Sequence, residues 1–201
     1  MRLALAVLAS LVLGASPGAT AQTTKVKIYT PLDGGDLVRT FHFTQKTKGA
    51  CLAGSAADPR SDAWRCSIGN RLIDPCFSDP KAHTWVACPA NGTPFGLGVI
   101  RVKLTKPLPR RLGNHGSPGQ GNPWAVKLAG GNVCTFLTGA TFVFHGKRVN
   151  YGCAKTTFLA GIPKTTFLAG SPNRSSPAWT ITLGTDRSLP PKTAVILVAT
   201  W

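Results

Sequence analysis

Six cysteines in a chain of 201 residues constrain the fold of this protein more than any other feature. None of them stands in a C-x-x-C pair, the spacing typical of zinc ligands. Cysteines stay paired in an oxidising compartment, so the set indicates a disulfide framework and no metal site. Consecutive cysteines, taken two by two along the chain, enclose loops of ten to twenty residues bounded by turn residues, and short loops close readily. We therefore predict three local disulfides: Cys51–Cys66, Cys76–Cys88 and Cys134–Cys153.

The third bridge depends on how the strands around it connect. Residues 132–151 contain the segments NVCTFL, TFVF and KRVNY, separated by turn residues, which is typical of a β-meander. In a strict meander Cys134 and Cys153 would not lie opposite each other, and bridged Cα atoms must come within about 7 Å. A bridge from residues 51–88 to Cys134 or Cys153 is the alternative.

The N-terminus has the three parts of a secretory signal. Arg2 is followed by the apolar run Leu3–Leu13, and small residues occupy positions 19 and 21. Because this run is shorter than the roughly 18 apolar residues of a membrane span, it predicts a signal peptide over residues 1–21 and no transmembrane segment. Residues 22–201 are then predicted to form a single β-rich domain, secreted to the periplasm or the extracellular space.

Alternation of apolar and polar residues predicts mainly β structure beyond the signal peptide. Leu97–Thr105 is the clearest strand, with Arg101 and Lys103 on one face. Lys25–Thr30 and Leu37–Gln45 alternate in the same way, and the glycine-containing turn between them predicts a hairpin. The fold class indicated is a single disulfide-stapled β-sandwich or barrel-like domain.

One short helix is predicted within the cysteine-rich segment. Ser61 or Asp62 is a typical N-cap, and Gly69 follows as a typical helix end. Trp64 and Ile68 are four residues apart and would share the buried face of such a helix.

The charge of the chain is strongly positive. It has 23 Lys and Arg residues against seven acidic ones, a formal net charge of +16. An excess of this size favours association with an anionic envelope polymer or another polyanion, although it also keeps an exported protein soluble. The expected binding residues extend along the strand at 97–105 and into the following loop: Arg101, Lys103, Lys106, Arg110 and Arg111. A solvated strand face is the alternative, and stacking aromatics typical of a nucleic-acid site are not interleaved with these charges.

Catalysis needs a different set of residues. Glycoside hydrolysis uses two carboxyl groups about 5–10 Å apart. Four aspartates lie close in sequence: Asp58, Asp62, Asp74 and Asp79. Three of them precede proline, which is typical of turns, and Asp62 lies beside two arginines. We therefore interpret Arg60, Asp62, Arg65 and Asp74 as a structural cluster, with no catalytic residue and no cofactor.

The run GSAADPRSDAWRCSIGNRLIDPCF at residues 54–77 resembles a pattern in uncharacterised secreted bacterial proteins. Members carry Gly-Ser, then Arg-x-Asp-Ala-aromatic-Arg-Cys, then Gly-Asn and Asp-Pro-Cys-Phe. The resemblance continues in VKLTKPLP, PWAVKLAGGNVCTFLTGAT, GKRVNYGC and SPNRSSPAWTI. A duplicated KTTFLAG, at 155–161 and 164–170, departs from the pattern. The resemblance implies export and one domain, and it implies no activity.

Two functions follow as hypotheses. The first is a non-catalytic, disulfide-stabilised binding module for an anionic envelope or extracellular polymer. The alternative is a small cell-envelope hydrolase that uses Asp62 and Asp74. A concave site containing both carboxylates would favour the enzyme, whereas a basic face with these aspartates bonded elsewhere would favour binding.

Overall fold

A computed structural model describes residues 22–201 except 83, 111–115, 118 and 160–161, and it describes only the backbone of the strand residues at 154–159 and 162–165. The predicted signal peptide at 1–21 lies outside the described residues. Fifteen β-strands and no helix occur in the described part, which confirms the predicted β-rich class. The described residues therefore contain no helix that is long and apolar enough to cross a membrane.

The cysteine-rich half of the chain forms a closed five-stranded barrel. Its strands are β4 (His42–Gly54), β5 (Ala63–Ile68), β6 (Arg71–Phe77), β7 (Trp85–Pro89) and β8 (Gly98–Leu104). Sequential neighbours are antiparallel, so the first and last of five strands run in the same direction and close the barrel as a parallel pair. Cys51–Cys66 joins β4 to β5 and Cys76–Cys88 joins β6 to β7, with all four cysteines buried. The two disulfides thus form part of the barrel core.

The predicted short helix is wrong, because Ala63–Ile68 is strand β5. Residues four apart share a face of a strand as well as of a helix, so the spacing of Trp64 and Ile68 does not separate the two structures. Cys66, midway between them, is fully buried, which is the two-residue period of a strand. Its backbone lies between Cys51 of β4 and Ile73 of β6. The neighbouring strands therefore decide the local structure here.

The second half of the chain forms a ring of six strands. These are β9 (Ala125–Leu128), β10 (Val133–Phe136), β12 (Lys147–Leu159), β13 (Ile162–Asn173), β14 (Thr180–Gly184) and β15 (Lys192–Thr200). Each pairs with the next, and β15 pairs with β9 to close the ring. The ring encloses an apolar core with large aromatic side chains, among them Tyr151 and Trp201.

Four short strands complete the fold: β1 (Lys25–Lys27), β2 (Leu32–Asp33), β3 (Asp36–Leu37) and β11 (Val143–Phe144). The predicted hairpin between Lys25–Thr30 and Leu37–Gln45 is wrong, because β1 pairs with β15 and β4 pairs with β5 and β8. The turn between the two segments instead forms the small β2–β3 hairpin. The partners β15 and β8 lie far away in sequence, and alternation alone cannot indicate such pairings.

The three predicted disulfides are present, including Cys134–Cys153. The strict meander is wrong, because β10 pairs directly with β12 and the short β11 pairs with another part of β12. This arrangement places Cys134 directly opposite Cys153, with their Cα atoms 3.9 Å apart. The described residues of the two KTTFLAG copies lie on β12 and β13, which pair antiparallel from Thr156 and Thr165 to Leu159 and Ile162.

An aromatic cluster joins the barrel to the ring. Phe77 belongs to β6, Trp124 immediately precedes β9, and Tyr29 follows β1. The Tyr29 ring centroid lies 5.2 Å from that of Phe77 and 5.7 Å from that of Trp124. Such contacts bury large apolar areas, so the two closed sheets share a continuous apolar junction.

Candidate anion-binding face

Four cations are brought together on the outside of the five-stranded barrel. Lys46 lies beside Arg101, and Lys48 lies beside Lys103, in the parallel register of β4 and β8. Side chains alternate along each strand, so Val102 fills the barrel interior while its neighbours point outward. We call Lys46, Lys48, Arg101 and Lys103 the basic face. With Thr47, Thr84 and Trp85 they line a hollow of about 500 Å³.

Aromatic rings hold one of these cations in place. The Arg101 guanidinium lies 4.6 Å from the Trp85 ring centroid and 5.8 Å from that of Phe43. The two rings meet edge to face at 5.6 Å. Arg101 is half-buried and donates no hydrogen bond to any residue that the structure describes. Stacking therefore orients the guanidinium and leaves its planar set of N–H groups free for an oxyanion.

The described residues that line the hollow of the basic face include no carboxylate. The Asp62 carboxylate, for example, is paired with Arg60 elsewhere. Like charges directly opposite each other on neighbouring strands repel. A bound anion would remove that repulsion, so the face is electrostatically suited to a ligand with several negative charges.

The structure divides the predicted binding residues. Arg101 and Lys103 belong to the basic face. Lys106 and Arg110 are exposed and follow the end of β8, but they do not line the hollow of the basic face. Arg111 lies outside the described residues. Sequence reasoning missed Lys46 and Lys48. Their two-residue spacing in QKTKG was the available signal, but only the pairing of β4 with β8 shows that these lysines join Arg101 and Lys103.

The predicted structural cluster is also divided, and its first half is an ion pair between the buried Arg60 and the partly exposed Asp62. The Arg60 guanidinium is bidentate on the Asp62 carboxylate, with Nε 2.9 Å from Oδ1. Its Nη1 donates to the backbone oxygens of Tyr29 at 2.8 Å and Trp201 at 3.4 Å. The guanidinium also lies 4.7 Å from the Phe77 ring centroid. Arg60 therefore connects the barrel to the segments that follow β1 and β15.

Asp74 and Arg65 lie outside this ion pair. The Asp74 carboxylate accepts a hydrogen bond from the Ser55 hydroxyl and another, of 3.1 Å, from the Ala56 backbone N–H. The Arg65 Nε is buried without a hydrogen-bond partner in the described part of the chain. The hollow beside Asp62 is lined by Asp79 and not by Asp74. The two carboxylates of the hydrolase hypothesis therefore do not share that hollow.

Burial raises the pKa of two phenols, Tyr29 and Tyr151. Tyr151 donates its hydroxyl to the Pro123 carbonyl oxygen at 2.8 Å within the ring core. Neither hydroxyl lines the basic face, so neither is placed to act as an acid or base there. Among the described residues, no group of His, Cys, Asp and Glu side chains is arranged to hold a metal ion.

Comparison of the chain with family models, with curated proteins and with solved structures gives no match.

Proposed function

We propose that this protein is exported and binds an anionic polymer of the cell envelope or the extracellular space through the basic face, without catalysis. The observation that carries the proposal is a compact set of four cations, one of them stacked on an aromatic ring, with no acidic residue lining their hollow. Stacking fixes Arg101 before the ligand arrives, which lowers the entropy lost on binding. The three lysines add charge without a fixed geometry, as a repetitive polymer requires.

The aspartate contacts support binding over hydrolysis. Asp62 neutralises the buried Arg60, and Asp74 organises the backbone after Ser55. A carboxylate that holds a buried guanidinium is costly to remove, which suits a structural role. Both aspartates thus have roles in the fold, and a small envelope hydrolase stays the second hypothesis.

Salt dependence tests the proposal. Binding of the mature protein to polyacrylate, a flexible polymer of carboxylates, is measured by isothermal titration calorimetry at 50 and 200 mM salt. If four cations act together, affinity should fall by about 50- to 150-fold over this range. Lys46→Gln/Lys48→Gln leaves two cations on the face and should reduce that salt effect to about 10-fold.

A matched variant separates the face from overall charge. Lys25 and Lys27 have the same spacing on β1 and are exposed, yet they lie outside the basic face. Lys25→Gln/Lys27→Gln removes the same charge, so its affinity should stay within about twofold of wild type. Equal losses in both double variants would reduce the proposal to unspecific attraction by net charge.

A further inference from the structure

The open end of the five-stranded barrel contains a second hollow, of about 430 Å³. Polar side chains from the first residues of two strands, β4 and β6, and from a turn surround it: His42, Thr44, Gln45, Arg71 and Asn91. We call this group the barrel mouth. Its lining residues include no carboxylate, and ligands commonly bind at the mouths of β-barrels.

An irregularity in the β4–β8 pair builds one wall of the barrel mouth. Phe43 pairs with Val99 and Gln45 pairs with Ile100, so Thr44 is an extra residue on β4. This bulge places Gln45 beside the buried Ile100, on the interior face of the barrel end. A Cβ at Gly98 would lie 2.7 Å from Thr44 Cγ2, so glycine is needed for this close seam.

The groups at the barrel mouth suit hydroxyls rather than charge alone. The amides of Gln45 and Asn91 each offer a donor and an acceptor, as a sugar hydroxyl does. The side chains of His42, Gln45, Arg71 and Asn91 are exposed and make no hydrogen bond to any other described residue. In the basic face, by contrast, all four charged groups are donors only. The two hollows therefore offer complementary chemistry.

The barrel mouth and the basic face are consecutive along one seam. Gln45 directly precedes Lys46 on β4, and Ile100 directly precedes Arg101 on β8. Consecutive side chains of a strand point to opposite faces, so the barrel mouth opens at the barrel end and the basic face lies on the outside. Each residue advances a strand by about 3.3 Å, so a ligand of a few sugar units is long enough to cross the barrel rim from one hollow to the other. We infer that the barrel mouth binds a sugar unit of an anionic polysaccharide whose charged groups bind the basic face. This inference rests on the proposed function and names its ligand class.

Two polymers that carry the same charged group test the inference. Polygalacturonate has one carboxylate on each hydroxyl-bearing sugar, whereas polyacrylate has carboxylates and no sugar. Gln45→Ala/Asn91→Ala should weaken binding of polygalacturonate about 5- to 10-fold, the effect of losing one or two net hydrogen bonds. The affinity of the same variant for polyacrylate should stay within about twofold of wild type, because every cation of the basic face remains. Lys46→Gln/Lys48→Gln should weaken binding of both polymers.

Each other outcome overturns the sugar inference alone or the sugar inference together with the proposed function. If the mouth variant binds both polymers like wild type, the barrel mouth is no sugar site and the proposed function stands. An equal loss for both polymers also overturns the sugar inference, since the mouth then acts on charge. Wild-type protein that binds neither polymer overturns the proposed function and this inference with it. Should Asn91→Ala lower the melting temperature, His42→Ala repeats the test from β4.

Discussion

The five-stranded barrel and the six-stranded ring are both closed and both stapled from inside, yet they use their residues differently. The barrel core contains four cysteines, whereas the ring core has one disulfide among Tyr151, Trp201 and other aromatic side chains. A small barrel buries little apolar area, so covalent bonds supply stability that the ring obtains from packing. The disulfide-bonded barrel can therefore tolerate the repulsion between the like charges of the basic face.

The arginines show the same contrast. In the ring, Arg174 stacks on Trp179 at 4.7 Å and on Trp201 at 5.0 Å, and it donates to the Gly121 carbonyl oxygen. Arg148 donates to Asn150 at 2.7 Å and to two backbone oxygens. Arg101 of the barrel has the stacking and no such acceptor among the described residues. Similar stacking thus locks an arginine into the ring but presents one to solvent on the barrel.

The largest predicted effect tests whether the barrel depends more on its bridges than the ring does. Cys51→Ala/Cys66→Ala should cost about 3–4 kcal/mol and lower the melting temperature by about 10 °C. Cys134→Ala/Cys153→Ala should lower the free energy of unfolding by about 2–3 kcal/mol, because the aromatic packing of the ring core persists without the disulfide. Differential scanning calorimetry of both variants gives the order. Loop entropy alone predicts the reverse order, since the sequence separations are 15 and 19 residues. The reverse order would therefore contradict the comparison.

The next effect concerns the ion pair at the junction of barrel and ring. Asp62→Asn leaves the buried Arg60 guanidinium without its carboxylate. The cost should be about 2 kcal/mol, below that of a fully buried pair because the Asp62 side chain is 34% exposed. Thermal melts should show a decrease of several degrees, with affinity for polyacrylate unchanged.

A control for that variant is Asp79→Asn. Asp79 precedes a proline, and within the described part of the chain its carboxylate accepts one hydrogen bond, from the exposed Lys81 backbone N–H at 2.8 Å. Its loss should cost less than about 1 kcal/mol. An Asp62→Asn protein that melts like wild type but loses a measurable hydrolytic activity would show that Asp62 is catalytic.

Exchange of arginine for lysine separates the two uses of stacking. Arg101→Lys keeps the charge and loses the oriented guanidinium, so affinity for polyacrylate should fall about 3- to 5-fold with little change in stability. Arg174→Lys should lower stability by about 1 kcal/mol and leave that affinity unchanged. Calorimetry measures both quantities on both variants. If the two variants behave alike, the distinction between a locked and a presented arginine fails.

Sequence reasoning recovered what depends on local pattern. The β-rich class, the three bridges and the outward alternation of Arg101 and Lys103 all follow from spacing along one segment. What it missed depends on partners far away in sequence. Lys46 joins Arg101 through a parallel pair that only barrel closure creates. The wrongly predicted helix at 61–68 has the same origin. A four-residue spacing fits a helix and a strand equally, and only the pairing of this segment with Cys51 of β4 and Ile73 of β6 makes it a strand.

The smallest predicted effect is a gain in stability on the barrel that the ring lacks. Lys48 lies directly beside Lys103, so Lys48→Gln should stabilise the free protein by about 0.3 kcal/mol at low salt. Lys127 of β9 is also exposed but lies opposite Val133 and Val198, so Lys127→Gln should change stability little. Melting temperatures at 10 and 500 mM salt measure the difference, which salt should abolish because it screens exposed charges. If the repulsion between lysines that attracts the ligand also destabilises the free protein, removal of one lysine must increase its stability. If Lys48→Gln is neutral at low salt, the lysines do not repel each other and the basic face is an ordinary solvated surface.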